Sequence, residues 1–523
     1  MGRSWRRIGV SFQAVSHLRL DGDACQVRKF EKRCHRREYP MRFASFLVLL
    51  LIPAFTLAQT CGHTHDVGAV AVPFAMVSGY SKSVQGPMDV SQAIGYRGVR
   101  NDFLSQFHDG IFGMCGVESS AKPQDAVPQG AVPRGAVPQY RFIDTPQAAA
   151  EISKNVHLRN HFDNSWVAFA VKRKGTVAFI GGSITEMNGY RVMVEEDLRR
   201  RFSGTDFTFV NAGISSTCST TGAHRLARDV LSTQPDLLFV EFAVNDDQDA
   251  SHEERECRRG MEGILRHARV TNPAMDIVVT HFVNPPMLEL LKQRKTPVSS
   301  GAHEAVAAHY GVSTIDLASE VAERIEANEL TWATYGGTHP KPSGNRIAAD
   351  MIEQLLDAAW ANEERLEQGN ASSHELASVL DPASYSQGRL LAGTKADFDK
   401  SWVWGVPAWE SIPGGKRGRF IQLDMLCTDV ANAELTLDFD GQAIGLYVLA
   451  GPDAGCVEYS VDGGKFKTAD LFHRFSKGLH YPRTVMLATG LKPGAHRLTM
   501  RVAKKSNQQS KGNAVRILEF VTN

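Results

Sequence analysis

The sequence lacks a charge imbalance, a membrane-length apolar run and closely paired cysteines. Lysine and arginine number 58 and aspartate and glutamate 57, so the formal net charge is +1 and no basic surface for nucleic acid is expected. The main apolar run, Phe46 to Ala58, is well short of the ~20 residues that span a bilayer. The eight cysteines include no CxxC pair, which argues against a zinc or redox motif.

Several motifs of catalysis and ligand binding are also missing. There is no G-x-S-x-G, P-loop or G-x-G-x-x-G after a strand, so neither an α/β-hydrolase nucleophile elbow nor a nucleotide cofactor is expected. The pairs His252-Glu253, His303-Glu304 and His374-Glu375 lack a second histidine at zincin spacing and are interpreted as helix-surface pairs. His63-Thr64-His65-Asp66 could bind a metal, but such short clusters are often incidental, and no metal is predicted.

The N-terminal region carries the pattern of a signal peptide. Met41 and Arg42 lead into the apolar run, which ends at the small residue Ala58 before the polar Gln59. This pattern predicts a signal peptide over residues 41–58 and a secreted or periplasmic protein without a transmembrane domain once the peptide is removed. Because signal peptides seldom begin forty residues into a chain, residues 1–40 are interpreted as a wrongly assigned extension. A membrane-anchored tail is the alternative.

Residues 59–145 are predicted to be a disordered spacer. They show no sustained periodicity, and Asp125 to Tyr140 repeats a five-residue Ala-Val-Pro unit, in which each proline holds its neighbour extended. Six cysteines follow the predicted cleavage point, an even number that permits disulfides in an exported chain. The pairs Cys218–Cys257 and Cys427–Cys456 are predicted, since each pair falls within one expected domain.

Residues 150–362 are predicted to form an α/β domain with a parallel sheet. Apolar runs alternate with amphipathic stretches, a pattern typical of strands joined by helices and buried on both faces. The predicted strands are Thr176–Ile180, Phe207–Ile214, Asp236–Val244, Asp276–Val283 and Val312–Ala318. The predicted helices are Arg191–Phe202, Ala223–Leu231, Glu253–Ala268, His303–His309 and Gly344–Trp360.

After a polar connector over residues 363–394, the period of the pattern becomes two. Alternating runs such as ELTLDFDG and CVEYSVDGG, separated by glycine-rich turns and uninterrupted by helices, predict an all-β sandwich or jelly roll over residues 395–523. Trp402, Trp404 and Trp409 lie near its start. Exposed aromatic rings stack on sugars and buried ones fill a core, and the core interpretation is favoured for most of them.

Four positions of the α/β domain could form an active site. Ser183 follows the first strand, Gly213 ends the second, Asn245 follows the third, and His339 stands in a late loop before a helix. Active sites of open α/β sheets lie at the carboxyl ends of strands. A serine there could attack an ester once a histidine takes its proton. The N–H groups of Ser183 and Gly213 and the Asn245 amide could stabilise an oxyanion. Alternatively, Ser183 and Asn245 are helix caps and Gly213 is a turn residue.

These four blocks, in this order, resemble the SGNH (GDSL-like) hydrolase superfamily over roughly Leu158 to Leu356. The resemblance implies a flavodoxin-like three-layer α/β/α fold, with Ser183 as nucleophile and His339 as general base. It also implies oxyanion-hole donors at Ser183, Gly213 and Asn245, and no cofactor. An SGNH domain followed by a jelly roll is similar to carbohydrate esterases that remove acetyl groups from polysaccharides. A small-molecule or polysaccharide ester is therefore the expected substrate.

Two positions depart from the family pattern. Gly336 stands where members commonly have an aspartate three residues before the histidine, and Ala243 replaces a glycine two residues before Asn245. Without that aspartate, either a main-chain carbonyl of the Trp332–Gly337 loop orients His339 in a Ser–His dyad, or another carboxylate does so. Asp246 and Asp316, both near strand ends, are the candidate carboxylates.

The sequence therefore predicts a secreted esterase that cleaves short acyl groups, and most simply acetyl groups, from a carbohydrate. Two alternatives stay open. One is a lipase or thioesterase of the same fold, which the lack of a long apolar lid segment disfavours. The other is a catalytically silent carbohydrate-binding protein.

Overall fold

The computed structural model describes residues 152–362, 366 and 371–523 of the chain. The predicted signal peptide, spacer and His63–Asp66 cluster, with Cys61 and Cys115, lie outside these residues. Among the described residues, no helix is both long and apolar enough to cross a membrane.

A six-stranded sheet forms the centre of the α/β domain. Its strands are β1 (Val156–His157), β2 (Lys174–Gly181), β3 (Asp206–Gly213), β4 (Leu237–Glu241), β5 (Asp276–Thr280) and β6 (Ser313–Ile315). The spatial order is β1-β6-β5-β4-β2-β3, and all neighbours are parallel except β1 and β6. The order β3-β2-β4-β5-β6 is the doubly wound flavodoxin-like order. The predicted parallel sheet is confirmed, whereas β1, with two residues, is too short to show any periodicity.

Ten helices of the described chain surround this sheet. They are α1 (Asp163–Trp166), α2 (Ser183–Glu186), α3 (Tyr190–Arg201), α4 (Ser219–Asp229), α5 (Glu254–Thr271), α6 (Pro285–Lys292), α7 (Val298–His309), α8 (Leu317–Glu326), α9 (Trp332–Tyr335) and α10 (Pro342–Ala359). Side-chain oxygens of Asn284 and Asp316 accept backbone N–H groups at the starts of α6 and α8, at 3.0 Å each. Such caps satisfy donors that have no partner within the helix.

Strand β2 shows how the sheet separates two cores. Val177 and Phe179 face one cluster, packed with residues of α3 and α10, while Ala178 and Ile180 face another, packed with α4 and α5. All four side chains are fully buried. A strand covered on both faces needs a continuous apolar run, which explains why the pattern VAFI was readable in the sequence. The three-layer α/β/α architecture is confirmed.

The C-terminal domain is an antiparallel β-sandwich. Its strands are β7 (Arg389–Ala392), β8 (Asp397–Phe398), β9 (Val403–Gly405), β10 (Met425–Thr428), β11 (Glu434–Asp440), β12 (Ile444–Ala450), β13 (Cys456–Val461), β14 (Lys467–Asp470), β15 (Tyr481–Ala488), β16 (Ala495–Val502) and β17 (Val515–Thr522). One sheet has the order β15-β12-β17-β10-β9, with β7 also paired to β17, and the other has the order β14-β13-β16-β11-β8. Apolar residues from both sheets share one core. The predicted all-β domain is confirmed.

The segment predicted as a connector is more structured than a linker. Strand β7 lies within it and pairs with β17. Upstream of β7, Tyr385 is fully buried in the α/β core, and the backbone N–H of His374 donates to the carbonyl of Pro273. The connector therefore packs against the α/β domain and then enters the sandwich.

The two predicted disulfides are wrong, because all four cysteines are free. The Cys218 thiol lies 3.6 Å from Thr221 Oγ1, and the Cys257 thiol lies 3.8 Å from the carbonyl of His252. Cys427 in β10 and Cys456 in β13 belong to different sheets. Membership of one domain does not bring Cα atoms within the ~4.4–6.8 Å that a disulfide requires.

Candidate active site

Ser183 stands where the central strand turns into a helix. Strand β2 ends at Gly181, and after Gly182 the short helix α2 begins with Ser183, which is half-buried. A Cβ atom at position 182 would lie 1.9 Å from Asn245 Oδ1, so only glycine lets these two loops approach so closely. The turn that carries Ser183 therefore packs closely against Asn245, at the carboxyl edge of the sheet.

Ser183 and His339 form a hydrogen-bonded pair. The Oγ of Ser183 lies 2.7 Å from Nε2 of His339, which the loop between α9 and α10 carries at the surface. Partial burial lowers the pKa of His339 below its usual range, and Arg417 lowers it further, whereas the charge of Asp249 raises it. The imidazole is consequently neutral at physiological pH, the form that accepts a proton.

The backbone explains why no aspartate stands three residues before His339. Gly336 has φ +112°, and a Cβ atom there would lie 2.1 Å from the backbone nitrogen of Lys341. A side chain at this position would be both strained and in collision. The turn that carries His339 is thus built for glycine.

The hypothesis that a carbonyl of the Trp332–Gly337 loop orients His339 finds no hydrogen bond to support it. The carbonyls of residues 332, 333, 334 and 335 each accept a hydrogen bond from another group of the same loop or of α10. Within the described chain, the hydrogen bond to Ser183 is the one that His339 makes.

The two candidate carboxylates are engaged elsewhere. Asp246 is fully buried and accepts hydrogen bonds from the N–H and hydroxyl of Ser219 and from His303. Asp316 caps α8 through Ser319. Neither forms a hydrogen bond with His339 within the residues that the structure describes.

Asn245 is the best-fixed of the predicted oxyanion donors. It opens the π-helical turn Asn245–Ala250 after β4 and is 2% exposed. Its Nδ2 donates to Asp249 Oδ2 at 2.6 Å. An amide nitrogen has two hydrogens, so this bond holds the side chain while leaving one hydrogen available.

The backbone N–H of Gly213 already donates its hydrogen to a residue of its own strand. Gly213 lies beside Gly181 in the β2–β3 register, and its N–H donates to Oδ1 of Asn211 at 3.0 Å. This N–H could reach an oxyanion only by sharing or leaving that bond. The structure thus brings Ser183, Gly213, Asn245 and His339 to one edge of the sheet, with the Gly213 donor already engaged.

Side chains of the sandwich hold the loops of this site, and sequence reasoning missed them. The described residues of both domains belong to one compact unit. Arg417 donates to the carbonyl of Ser215 at 2.7 Å, and Arg419 donates to the carbonyl of Gly213 at 2.8 Å. The Tyr481 hydroxyl donates to Asp249 Oδ1. No motif marks these residues, because each contact joins positions more than 200 residues apart.

A buried carboxylic acid, Glu241, contacts the turn that carries Ser183. Glu241 is fully buried at the end of β4, where Thr185 Oγ1 lies 3.3 Å from its Oε2. Burial raises the pKa of Glu241 to about 7, while the N–H of Gly182 and the Thr185 hydroxyl lower it. Burial thus brings the pKa of Glu241 close to neutral pH.

The interpretation of the His-Glu pairs as surface groups is wrong. His303 is fully buried beside Asp246, and His374 is 5% exposed and bonded to Asp276 at 2.7 Å. His252 lies close to Asp246 as well. Each imidazole has a carboxylate within reach, which offsets the cost of burying a polar ring. The prediction that most of the three tryptophans are core residues agrees with the structure. Trp402 lies in the core, and Trp404 and Trp409 pack against apolar clusters.

The chain is similar to a known protein family and to solved esterase structures. Residues 179–347 match the GDSL-like Lipase/Acylhydrolase family. No curated protein sequence matches the chain. Among solved structures, a two-domain esterase (CEX) active on acetylated mannans, crystallised with mannopentaose, is 19% identical with a TM-score of 0.55. The match covers 70% of this chain and 96% of that chain.

A second crystal structure of this esterase matches 70% of this chain and 97% of that chain, with 19% identity and a TM-score of 0.52. Axe2, an acetylxylan esterase from Geobacillus stearothermophilus, is 19% identical over 35% of this chain and 94% of that chain, with a TM-score of 0.28. At these identities the two-domain matches establish a shared fold. They extend across the α/β domain and the sandwich together.

Proposed function

We propose, on the premise that the α/β domain belongs to the GDSL-like lipase/acylhydrolase family, that this carboxylic ester hydrolase works through Ser183 and His339. The observation that carries the proposal is the 2.7 Å contact between Ser183 Oγ and His339 Nε2. This distance allows the imidazole to accept the hydroxyl proton as the oxygen attacks.

The reaction would proceed in two halves. Ser183 Oγ attacks the ester carbonyl while His339 takes its proton, and His339 then protonates the departing alcohol, leaving an acyl group on Ser183. A water molecule, deprotonated by the same imidazole, hydrolyses the acyl-enzyme and frees the serine. His339 must be neutral at the start of each half, and its lowered pKa favours this state.

The developing oxyanion would be stabilised where the three loops meet. The free hydrogen of the Asn245 amide and the N–H of Ser183 at the start of α2 are the primary donors. The Gly213 N–H would contribute once it leaves Asn211. Each well-placed donor contributes to the transition state a stabilisation of about 2.7–4 kcal/mol.

The substrate we propose is a short acyl ester, an acetyl ester first of all, on a carbohydrate. Because His339 is exposed, a bulky substrate can reach the Ser183–His339 pair. A site bordered by two domains can also accept a polysaccharide that is longer than the site itself. The architecture shared with an esterase active on acetylated mannans favours this class of substrate. Likeness of fold alone does not determine which sugar is used.

Export is the second part of the proposal. The run Phe46 to Ala58 and the polar residues after it support cleavage of a signal peptide near Gln59 and a secreted or periplasmic enzyme. N-terminal sequencing of active exported protein should find the first residue close to Gln59. An intact Met1 on such protein would contradict this part of the proposal.

Acetate release from acetylated polysaccharides tests the substrate class. Purified protein should release acetate from acetylated mannan or acetylated xylan and should hydrolyse a small acetyl ester, with Ser183→Ala as the blank. A long-chain fatty-acyl ester serves as the competing substrate. Hydrolysis of that ester without acetate release from any glycan would replace the carbohydrate proposal with a lipase.

A further inference from the structure

Metal-ligating side chains converge on Asp246, the residue after Asn245. Ligand atoms of Cys218, Asp246 and His252 all lie within 4.8 Å of one another, and those of Asp246, Cys257 and His303 form a second such group. The proposed catalytic steps use none of these side chains. Cys218 precedes α4, and His252 lies between the π-helical turn and α5, so separate loops bring the first group together.

The distance between His252 and Asp246 suits two ligands of one metal ion better than a hydrogen bond. His252 Nδ1 lies 3.6 Å from Asp246 Oδ2, and this buried nitrogen has no hydrogen-bond partner among the residues that the structure describes. A separation of 3.6 Å is too long for a hydrogen bond. Two ligands bound tetrahedrally to one zinc ion, at bond lengths of about 2.0–2.1 Å, lie about 3.4 Å apart. The spacing therefore fits two ligands of one ion better than a direct bond.

Hydrogen bonds to both oxygens fix the carboxylate of Asp246. Asp246 Oδ1 accepts the Ser219 N–H at 2.8 Å, and Oδ2 accepts the Ser219 hydroxyl at 2.6 Å and His303 Nε2 at 2.9 Å. A bound ion would therefore use the remaining lone pair of Oδ1 or replace one of the two bonds to Oδ2. Ligating carboxylates are characteristically fixed by hydrogen bonds of this kind. Asp246 itself is completely buried, and Cys218 is 5% exposed.

We propose that Cys218, Asp246 and His252 bind a zinc ion. A thiolate with an imidazole selects zinc over magnesium or calcium, and three protein ligands leave a fourth position for a water molecule. A cavity of about 230 Å³ begins at Cys218 and His252 and has room for that water. Asp249 and Glu256 also line this cavity and add negative charge around a cation, whereas Arg483 adds a positive one.

Such an ion would join the two loops that carry the proposed oxyanion donors. Cys218 follows Gly213 by five residues, and Asp246 directly follows Asn245. The zinc would thereby hold the loop after β3 to the turn after β4, independently of the contacts from the sandwich. Metal binding itself does not depend on the esterase function.

Elemental analysis of tag-free protein tests the proposal. Protein dialysed against micromolar zinc and then against metal-free buffer should retain about one zinc per chain. Cys218→Ser and His252→Asn should each retain less than about one tenth of that amount. Cys427→Ser and Cys456→Ser are the matched controls and should keep the full complement, because both cysteines lie in the sandwich. With cobalt in place of zinc, the Cys218→Ser substitution should abolish the thiolate-to-metal charge-transfer band.

The zinc content of the wild-type protein tests the proposal even if a variant fails to fold. A wild-type chain that retains no zinc after this treatment overturns the proposal. So does an unchanged zinc content in folded Cys218→Ser, which would place the ion elsewhere, for instance at His63 and His65.

Discussion

The hydroxyl of Tyr481, in the first position of β15, donates a hydrogen bond to Asp249, in the π-helical turn of the other domain. The second oxygen of this carboxylate accepts the amide of Asn245 at 2.6 Å. One chain of hydrogen bonds thus runs from the sandwich to a proposed oxyanion donor. The sandwich is part of the site in this arrangement, because it fixes a group that must be preorganised before the reaction begins.

Replacing Asn245 by alanine removes the amide at the end of this chain. We expect Asn245→Ala to lower kcat by about 10²–10³ with little change in KM, since the donor acts mainly on the transition state. Steady-state kinetics on a small acetyl ester measures both constants. A change confined to KM would make Asn245 a substrate-binding residue.

Replacing Tyr481 by phenylalanine removes one hydroxyl and keeps the ring. Asp249 would still accept the Asn245 amide but would lose its hydrogen bond from the Tyr481 hydroxyl. We therefore expect kcat to fall by about tenfold, equivalent to 1.4 kcal/mol. Tyr447→Phe is the matched control, since Tyr447 is also buried but its hydroxyl has no hydrogen-bond partner in the described part of the chain. Equal kcat values for the two variants would show that the Tyr481 hydroxyl does not position Asn245.

Introducing the aspartate that the family pattern favours should fail here. Gly336→Asp places a side chain against the Lys341 backbone at positive φ, and we expect it to destabilise the fold by about 1–3 kcal/mol and to lower activity. Gly337→Asp is the control, because position 337 also has positive φ but open space around it. Thermal unfolding and kinetics of both variants check this, and a more active Gly336→Asp enzyme would contradict the dyad.

Much of the fold was predictable because each strand of the α/β sheet is buried on both faces. VAFI in β2 and LLFV in β4 are continuous apolar runs, and the polar residues that follow such runs mark the edge of the sheet. That periodicity was enough to predict that Ser183 and Asn245 lie at one edge, whereas the prediction for His339 came from the resemblance to a family motif. The contribution of Gly182 and Gly336 depends on distances between loops, which no local pattern records.

The contacts between domains were not predictable for a different reason. Arg417, Arg419 and Tyr481 stand in stretches that read as ordinary turns and strands, and their partners are carbonyls and a carboxylate in distant loops. The grouping of Cys218, Asp246 and His252 was hidden in the same way, since their spacing matches no short metal motif. Contacts of this kind follow from topology rather than from sequence pattern.

The pH dependence of kcat/KM should follow His339. Its pKa is lowered by partial burial, so activity should rise with pH and reach half its plateau below pH ~6.5, the usual histidine value. The Asp249 charge raises this pKa and the Arg417 charge lowers it. Asp249→Asn should therefore move the rising limb to lower pH, and Arg417→Met should move it to higher pH.

Glu241, whose pKa is about 7, could add a limb of its own, and the Asp249 charge raises the pKa of Glu241 as well as that of His339. The Arg417→Met shift is therefore the one that identifies His339, because Arg417 lowers the His339 pKa. Profiles measured with a neutral acetyl ester supply the comparison. Two shifts in the same direction, or no shift in either variant, would mean that His339 is not the titrating base.

The attack by Ser183 is the central claim of this account, and the hydrolysis rate of a small acetyl ester by Ser183→Ala tests it most directly. Circular dichroism and the unfolding temperature of the variant should match the wild type, because Ser183 is half-buried and its hydroxyl bonds to the exposed His339. We predict that kcat falls by about 10⁶, as expected when a catalytic nucleophile is lost. Turnover by folded Ser183→Ala at the wild-type rate would contradict the claim.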